Sequence, residues 1–199
     1  MAPPFKVVVT GFGPFRDHKV NASWVTVQKM KETGGLGSDI ELEIVHIEVE
    51  YGTVDQVVPK LWKQHKPQLM VHVGVSGRAK SITLEECAKN TTYATQDNSG
   101  KCPRNGCCKK SGDSCLKSSL DMKKIAEEAK KINPDIEIET SKEAGRYLCE
   151  YIYYTSLHLK KGASAFVHVP PLNRKYTEEE LATGLRTVIT LMIDQIRSR

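Results

Sequence analysis

Of the six cysteines in this chain, Cys149 occupies the position best suited to covalent chemistry. It lies where the polar segment Ala144-Gly145-Arg146 hands over to an apolar helical run, Tyr151 to Leu157, and so in the first turn of a helix. Nineteen residues further on, His168 sits in the strand-like run Ala165-Phe166-Val167-His168-Val169, closed by Pro170-Pro171. A free thiol is only a few per cent thiolate at neutral pH, so a nucleophilic cysteine needs assistance. The dipole at a helix start favours the anion by about 0.3–1 kcal/mol, less than one pKa unit at about 1.36 kcal/mol per unit. An imidazolium does more, since paired cysteines reach pKa values of about 3.5–7.5. His168 is the best placed of the six histidines, because reactive groups of parallel α/β proteins gather where the strands end. A third group is expected to hold the imidazole in one tautomer. The candidate is Glu85, at the end of Gly77-Arg78-Ala79-Lys80-Ser81-Ile82-Thr83-Leu84-Glu85.

Residue pattern alone leaves alternatives open. A cysteine in Tyr-Leu-Cys-Glu-Tyr also fits a small core residue, His168 between two valines also fits a satisfied core histidine, and Glu85 beside Glu86 also fits one half of a solvated pair.

The elements that must position these residues are legible in the hydrophobic pattern. Apolar strands and amphipathic helices alternate, which predicts an α/β fold: a three-layer α/β/α sandwich around a mostly parallel sheet. Strands are expected at Phe5–Thr10, Ile40–Ile47, Leu69–Val75 and Asp135–Glu139. Asn21 is expected to cap a helix carrying Trp24, Val27 and Met30 inward. A helix over Gly52–His65 is expected to kink at Pro59. Another runs from Asp121 to about Lys131, and Thr177 with Glu180 forms a capping box for the last helix.

With 199 residues and 39% hydrophobic content, the chain suits one domain over residues 1–199. Basic residues number 29 and acidic ones 24, a net charge of +5, and no basic stripe alternates with aromatic residues, so no nucleic-acid partner is expected. No stretch approaches the roughly 20 apolar residues of a membrane span, and MAPPFKVVVTGFG lacks the pattern of a secretory signal. A cytoplasmic location without membrane association is therefore expected, with Cys87, Cys102, Cys107, Cys108, Cys115 and Cys149 as reduced thiols. The stretch Asn98–Ser119, with four of the cysteines and few apolar side chains, is expected to be an exposed loop. Its cysteine spacing lacks a nearby histidine and suits zinc poorly, so no metal is expected. The GFGPF segment, Gly11 to Phe15, departs from a phosphate-binding G-x-G-x-x-G because Arg16 replaces the third glycine and Pro14 intervenes.

Four segments in order resemble the pyroglutamyl-peptidase I family: GFGPF with Asn21-Ala22-Ser23-Trp24 behind it, GVSGRAKSITLEECAKN from Gly74 to Asn90, EAGRYLCEYIYY from Glu143 to Tyr154, and FVHVPP from Phe166 to Pro171. The resemblance spans almost the whole chain. It implies a cysteine peptidase that removes an N-terminal pyroglutamyl residue through Glu85, Cys149 and His168, with no metal or organic cofactor. It also implies that Phe12 and Phe15 line the pocket for the lactam ring while backbone groups near Val75 meet the lactam amide. A neutral ring without a free amine suits such a recess, because an ammonium would lose its hydration there at a cost of several kcal/mol. The partners implied are N-terminally pyroglutamylated peptides, and a monomer is expected over a homo-oligomer. Departures from the family pattern are Glu86 after the glutamate, Glu150 after the cysteine, and Ala94-Thr95-Gln96 where bacterial members carry an arginine. The loop after Asn98 is similar to that of vertebrate members. The competing readings are a binding homologue without catalysis and a thiol amidohydrolase for another acyl group.

Overall fold

The computed structural model describes residues 3–15, 19–159 and 162–199. Its main sheet is built from β1 (Phe5–Phe12), β2 (Ile40–Ile47), β3 (Leu69–Val75), β4 (Ile82–Glu85), β7 (Ile138–Ser141) and β8 (Ala163–Val169), in the order β2-β1-β3-β8-β4-β7. Two short strands, β5 (Cys87–Lys89) and β6 (Cys115–Lys117), form a separate antiparallel ribbon. The helices are α1 (Ala22–Glu32), α2 (Tyr51–His65), α3 (Met122–Ile132), α4 (Leu148–Leu159) and α5 (Glu178–Arg197).

The central strands are apolar throughout because both faces of the sheet are covered, as in parallel sheets generally. Val7, Val9, Val71, Val73 and Val167 enter one core with α1, α3 and α5. Val8, Met70 and Phe166, at alternating positions, enter a second core with α2 and α4. The result is the expected three-layer arrangement. Strands β2, β1, β3 and β8 run parallel, whereas β4 pairs antiparallel with β8 and β7 follows β4.

Local signals act as anticipated at several points. Asn21 caps α1 by accepting from the Ser23 amide, and Thr177 and Glu180 complete a capping box at α5. Helix α2 runs on through Pro59. The strand expected at Asp135–Glu139 starts later, at Ile138, because the Ile136 amide donates to the Asn133 carbonyl and closes a turn there.

The stretch Asn98–Ser119 is exposed over most of its length, as expected, but it is not an open loop. β6 returns within it to pair with β5, and Cys108 is buried, its thiol donating to the Tyr151 carbonyl at 3.7 Å. Buried Asn90 organises the segment: its side-chain nitrogen donates to the Lys109 and Gly112 carbonyls, and its side-chain oxygen accepts from the Lys109 amide. Satisfying backbone groups in this way lets a sequence of low apolar content fold back onto the protein.

Candidate active site

Strand β8 carries His168 to the end of the sheet, opposite Gly74 of β3 on one side and Thr83 of β4 on the other. Because β4 runs against β8, Glu85 pairs with Phe166, so its side chain leaves the same face of the sheet as His168, one pleat below. The Glu85 carboxylate, 2% exposed, accepts a hydrogen bond from His168 Nδ1 at 2.8 Å. The second carboxylate oxygen has no hydrogen-bond partner among the described residues. The Glu85 backbone is held from the helix side, its carbonyl accepting from the Tyr153 hydroxyl of α4 at 3.0 Å.

Cys149 lies in the first turn of α4 and is partly buried. Its sulfur rests against strand β3 at Gly74: a Cβ built on that glycine would stand 2.8 Å from Cys149 Sγ and 2.7 Å from the Phe166 ring. Only glycine lets the helix bring the thiol so close to the strand. The Cys149 sulfur also acts on the His168 ring, raising its pKa together with Glu85. With Nδ1 committed to Glu85, Nε2 is the nitrogen left for sulfur. The three residues thus form a chain from thiol to imidazole to carboxylate.

Electrostatics separates His168 from another buried histidine of the same sheet face. Burial alone would lower the His168 pKa, but the Cys149 sulfur and the Glu85 carboxylate outweigh it and push His168 up to about 9. His72, on β3, is fully buried without an anion, and burial pushes it down to about 3. It serves as a neutral link, its ring nitrogens bonded to Thr10 Oγ1 at 2.8 Å and Ser156 Oγ at 2.7 Å. Two imidazoles in one core therefore have opposite fates, decided by whether a negative group stands beside the ring.

Beside the thiol is a recess of about 50 Å³ whose walls include Phe12, Phe15, Val49, Val75, Tyr147 and Leu148. None of its described lining residues is charged. The sequence-expected Phe12, Phe15 and Val75 are all present, with Phe12 buried and the other two partly exposed. Asn21, also on the wall, folds the GFGPF segment: its Nδ2 donates to the Gly13 carbonyl at 2.9 Å, and its Oδ1 accepts from Ser23 Oγ at 2.9 Å, while Ser23 Oγ accepts the Phe12 amide at 3.0 Å. The Gly13 amide in turn donates to the Ile47 carbonyl.

Val49, Tyr147 and Leu148 were missed from sequence, as was the residue that holds their side of the recess. Asp97 is buried and accepts from the amides of Tyr51, Ser99 and Lys101 and from the Ser99 hydroxyl, all at 2.8–2.9 Å. Burial opposes its ionisation, but these hydrogen bonds prevail and hold its carboxyl below the usual range. The segment it organises links the recess walls: Asn98 Nδ2 donates to the Pro14 carbonyl, the Asn98 amide to Val49, and the Tyr147 hydroxyl to the Gln96 carbonyl. Asp97-Asn98-Ser99-Gly100 is a turn signature that could have revealed this role. Behind the thiol, fully buried Glu150 accepts from the Lys89 amide at 3.1 Å and from Arg146 at 2.6 Å, tying α4 to β5. Burial pushes its carboxyl up to about 7 despite those partners.

Such an arrangement can ionise a thiol, return a proton to a leaving group, and offer the unpaired first-turn amides of α4 to an oxyanion. It adjoins a recess for a small, flat, uncharged group.

The sequence profile of the pyroglutamyl peptidase family matches residues 5–193. The chain is 46% identical over 192 residues to human pyroglutamyl-peptidase 1, covering 96% of this chain and 91% of that protein. It is 36% identical over 165 residues to the human pyroglutamyl-peptidase 1-like protein, covering 81% and 83%. Among solved structures, a variant of the pyrrolidone carboxyl peptidase of Pyrococcus furiosus superposes with a TM-score of 0.85 at 26% identity, covering 96% of this chain and 99% of that one.

Proposed function

Since the chain belongs to the pyroglutamyl peptidase family, we propose that it is a cysteine-type hydrolase cleaving the amide bond after an N-terminal pyroglutamyl residue, with Cys149 as nucleophile, His168 as acid and base, and Glu85 as orienting carboxylate. The observation that carries the reading is His168, bonded through Nδ1 to buried Glu85 and raised in pKa by the Cys149 sulfur, beside an aromatic recess with no acidic or basic side chain among its described walls.

The steps follow from this placement. The Cys149 thiolate adds to the pyroglutamyl carbonyl carbon, and the oxygen becomes an oxyanion facing the first-turn amides of α4. As the C–N bond breaks, the imidazolium of His168 gives its proton to the leaving amine, which departs as a free peptide. A water then surrenders a proton to His168 and adds to the thioester. Collapse of that second intermediate expels the sulfur and releases pyroglutamate, restoring the ion pair. Glu85 keeps Nδ1 protonated in both halves, so that Nε2 is the nitrogen that exchanges protons.

Selectivity follows from the recess. Phe12, Phe15 and Tyr147 offer ring surfaces to a flat lactam, backbone groups near Val75 would meet its amide, and no carboxylate stands among the described walls to receive a charged amino terminus. The residues assigned these roles all belong to one chain, in keeping with a monomer and with residues 1–199 acting as one catalytic domain. Among the described residues no helix is long and apolar enough to cross a membrane. The cysteines are free thiols, which suits a reducing compartment such as the cytoplasm.

A panel of fluorogenic arylamides tests the proposal. Turnover of the pyroglutamyl compound, abolished by a thiol alkylator and at least about a hundredfold faster than that of the prolyl or alanyl compounds, is expected. Equal turnover of the alanyl compound would refute the assigned specificity, and alkylator-resistant turnover would refute the nucleophile.

A further inference from the structure

A second, larger cleft of about 270 Å³ adjoins the thiol's recess, sharing Phe15 and Val75 with it and extending to Ala22, Pro171, Leu172 and Arg174. We propose that this cleft binds the first residue of the leaving peptide: an apolar side chain lies against Leu172 and Pro171, and Arg174 takes the terminal carboxylate when that residue is the last of the substrate, as in a pyroglutamyl dipeptide. The inference rests on the function proposed above.

The chemistry sets the direction. With the lactam ring in the recess beside Cys149, the scissile carbon stands at the sulfur, and the nitrogen that leaves must face the group that protonates it. That group is His168, on the last turn of strand before Pro170-Pro171, and the chain beyond it forms the wall of the larger cleft. Whatever is attached to the leaving nitrogen is therefore carried away from Phe12 and Tyr147 and toward Pro171 and Leu172. Phe15 and Val75, which belong to both hollows, form the divide between the two halves of the substrate.

The wall of the cleft is apolar apart from Arg174, which carries its only charge among the described lining residues. Asn173, with φ 57°, is in the left-handed conformation and turns the chain just before Arg174; asparagine accepts this geometry more readily than most residues. The Arg174 guanidinium donates through Nη1 to the Gly77 carbonyl at 3.1 Å, which anchors it at the rim. A guanidinium has five N–H donors, and with this one hydrogen bond among the described residues the fork can still grip a carboxylate. A dipeptide substrate places its carboxylate one residue from the scissile nitrogen, whereas a longer peptide places a neutral amide there. The cleft thus favours short substrates with an apolar second residue.

The test compares kcat/KM for pyroglutamyl-leucine and pyroglutamyl-glycine, each as free acid and as terminal amide, in the wild type, Arg174→Gln and Leu172→Ala. The wild type is expected to favour the leucine free acid over its amide by about fivefold, the strength of an exposed ion pair. Arg174→Gln is expected to bring that ratio to about one, and salt to shrink it in the wild type. Leu172→Ala is expected to lower the preference for leucine over glycine by about threefold or more, the size of a partial loss of apolar contact. A free-acid to amide ratio near one in the wild type, or an unchanged ratio in Arg174→Gln, would overturn the assignment. Turnover of a pyroglutamyl arylamide by the wild type, measured alongside, separates the two levels. If it is absent, the proposed function falls and the cleft assignment with it; if it is present while Arg174→Gln leaves the ratio untouched, only the cleft assignment falls.

Discussion

Replacing Glu85 with glutamine changes the charge beside His168 while preserving the shape of the side chain, and its effect can be worked out from the geometry. A His168 pKa of about 9 in place of the ordinary 6.5 corresponds to about 3 kcal/mol favouring the imidazolium, at about 1.36 kcal/mol per pKa unit. This preference survives burial only because sulfur and carboxylate both face the ring. A single opposite charge at hydrogen-bond distance typically accounts for about 1–3 pKa units, so Glu85→Gln should bring His168 down from about 9 to about 6–8. Activity requires the imidazolium as proton donor, so it is present below the His168 pKa and lost as pH rises through it. The alkaline limb of kcat/KM, near pH 9 in the wild type, should therefore move down by at least about one unit in the variant. The glutamine amide can also donate to Nδ1 of a neutral ring, leaving the proton on Nε2, where it cannot accept from the thiol. A loss of about 10²–10⁴ in kcat at neutral pH is expected on that account. The assay is the pH profile of pyroglutamyl arylamide hydrolysis, with iodoacetamide inactivation followed in parallel as a report on the reactive sulfur. An alkaline limb that stays near pH 9 in Glu85→Gln would refute the electrostatic reasoning.

Cys149→Ser removes the sulfur that acts on the ring; the His168 pKa read by NMR should fall below about 9 and turnover should drop by about 10³ or more, while retained turnover would exclude this nucleophile. Gly74→Ala places a methyl 2.8 Å from Cys149 Sγ and against the Phe166 ring; a displaced thiol should cost about a hundredfold in kcat, and kcat within twofold of wild type would mean that the contact is immaterial. Glu150, pushed up to about 7 by burial, binds more protons folded than unfolded between about pH 4.5 and 7, so wild-type stability should decline across that window by up to about 3 kcal/mol. Glu150→Gln should flatten the decline in denaturant titrations, and an unchanged slope would contradict the assignment.

The pair of Cys149 and His168 was legible because each sits at the junction of a strongly patterned element with its neighbour: a buried strand of seven residues and a helix of twelve. The core strands announced themselves by apolar runs, and α1 and α5 by their caps. Glu85 was placed only loosely, since β4 spans four residues and its antiparallel pairing with β8 is non-local, leaving no period to read. The β5–β6 ribbon, three residues per strand, was invisible for the same reason, and its absence from the reading made Asn98–Ser119 look like an open loop. Asp97 went unnoticed because its importance lies in four donors contributed by residues whose own sequence is unremarkable. Short strands and polar hubs draw their meaning from tertiary partners, which hydrophobic periodicity does not encode.

The reversal of β4 has a further consequence. Glu85 meets the imidazole through the interior of the sheet, whereas the recess walls come from the ends of β1 and β3, from Val49 after β2 and from the start of α4. The orienting carboxylate is thus rooted in a stretch of backbone that contributes nothing to the recess, while the start of α4 carries both thiol and wall. Grafting a foreign rim onto this scaffold would then redirect which acyl group is accepted while leaving the acidity of the histidine unaltered, making the fold a modular chassis for thiol hydrolases.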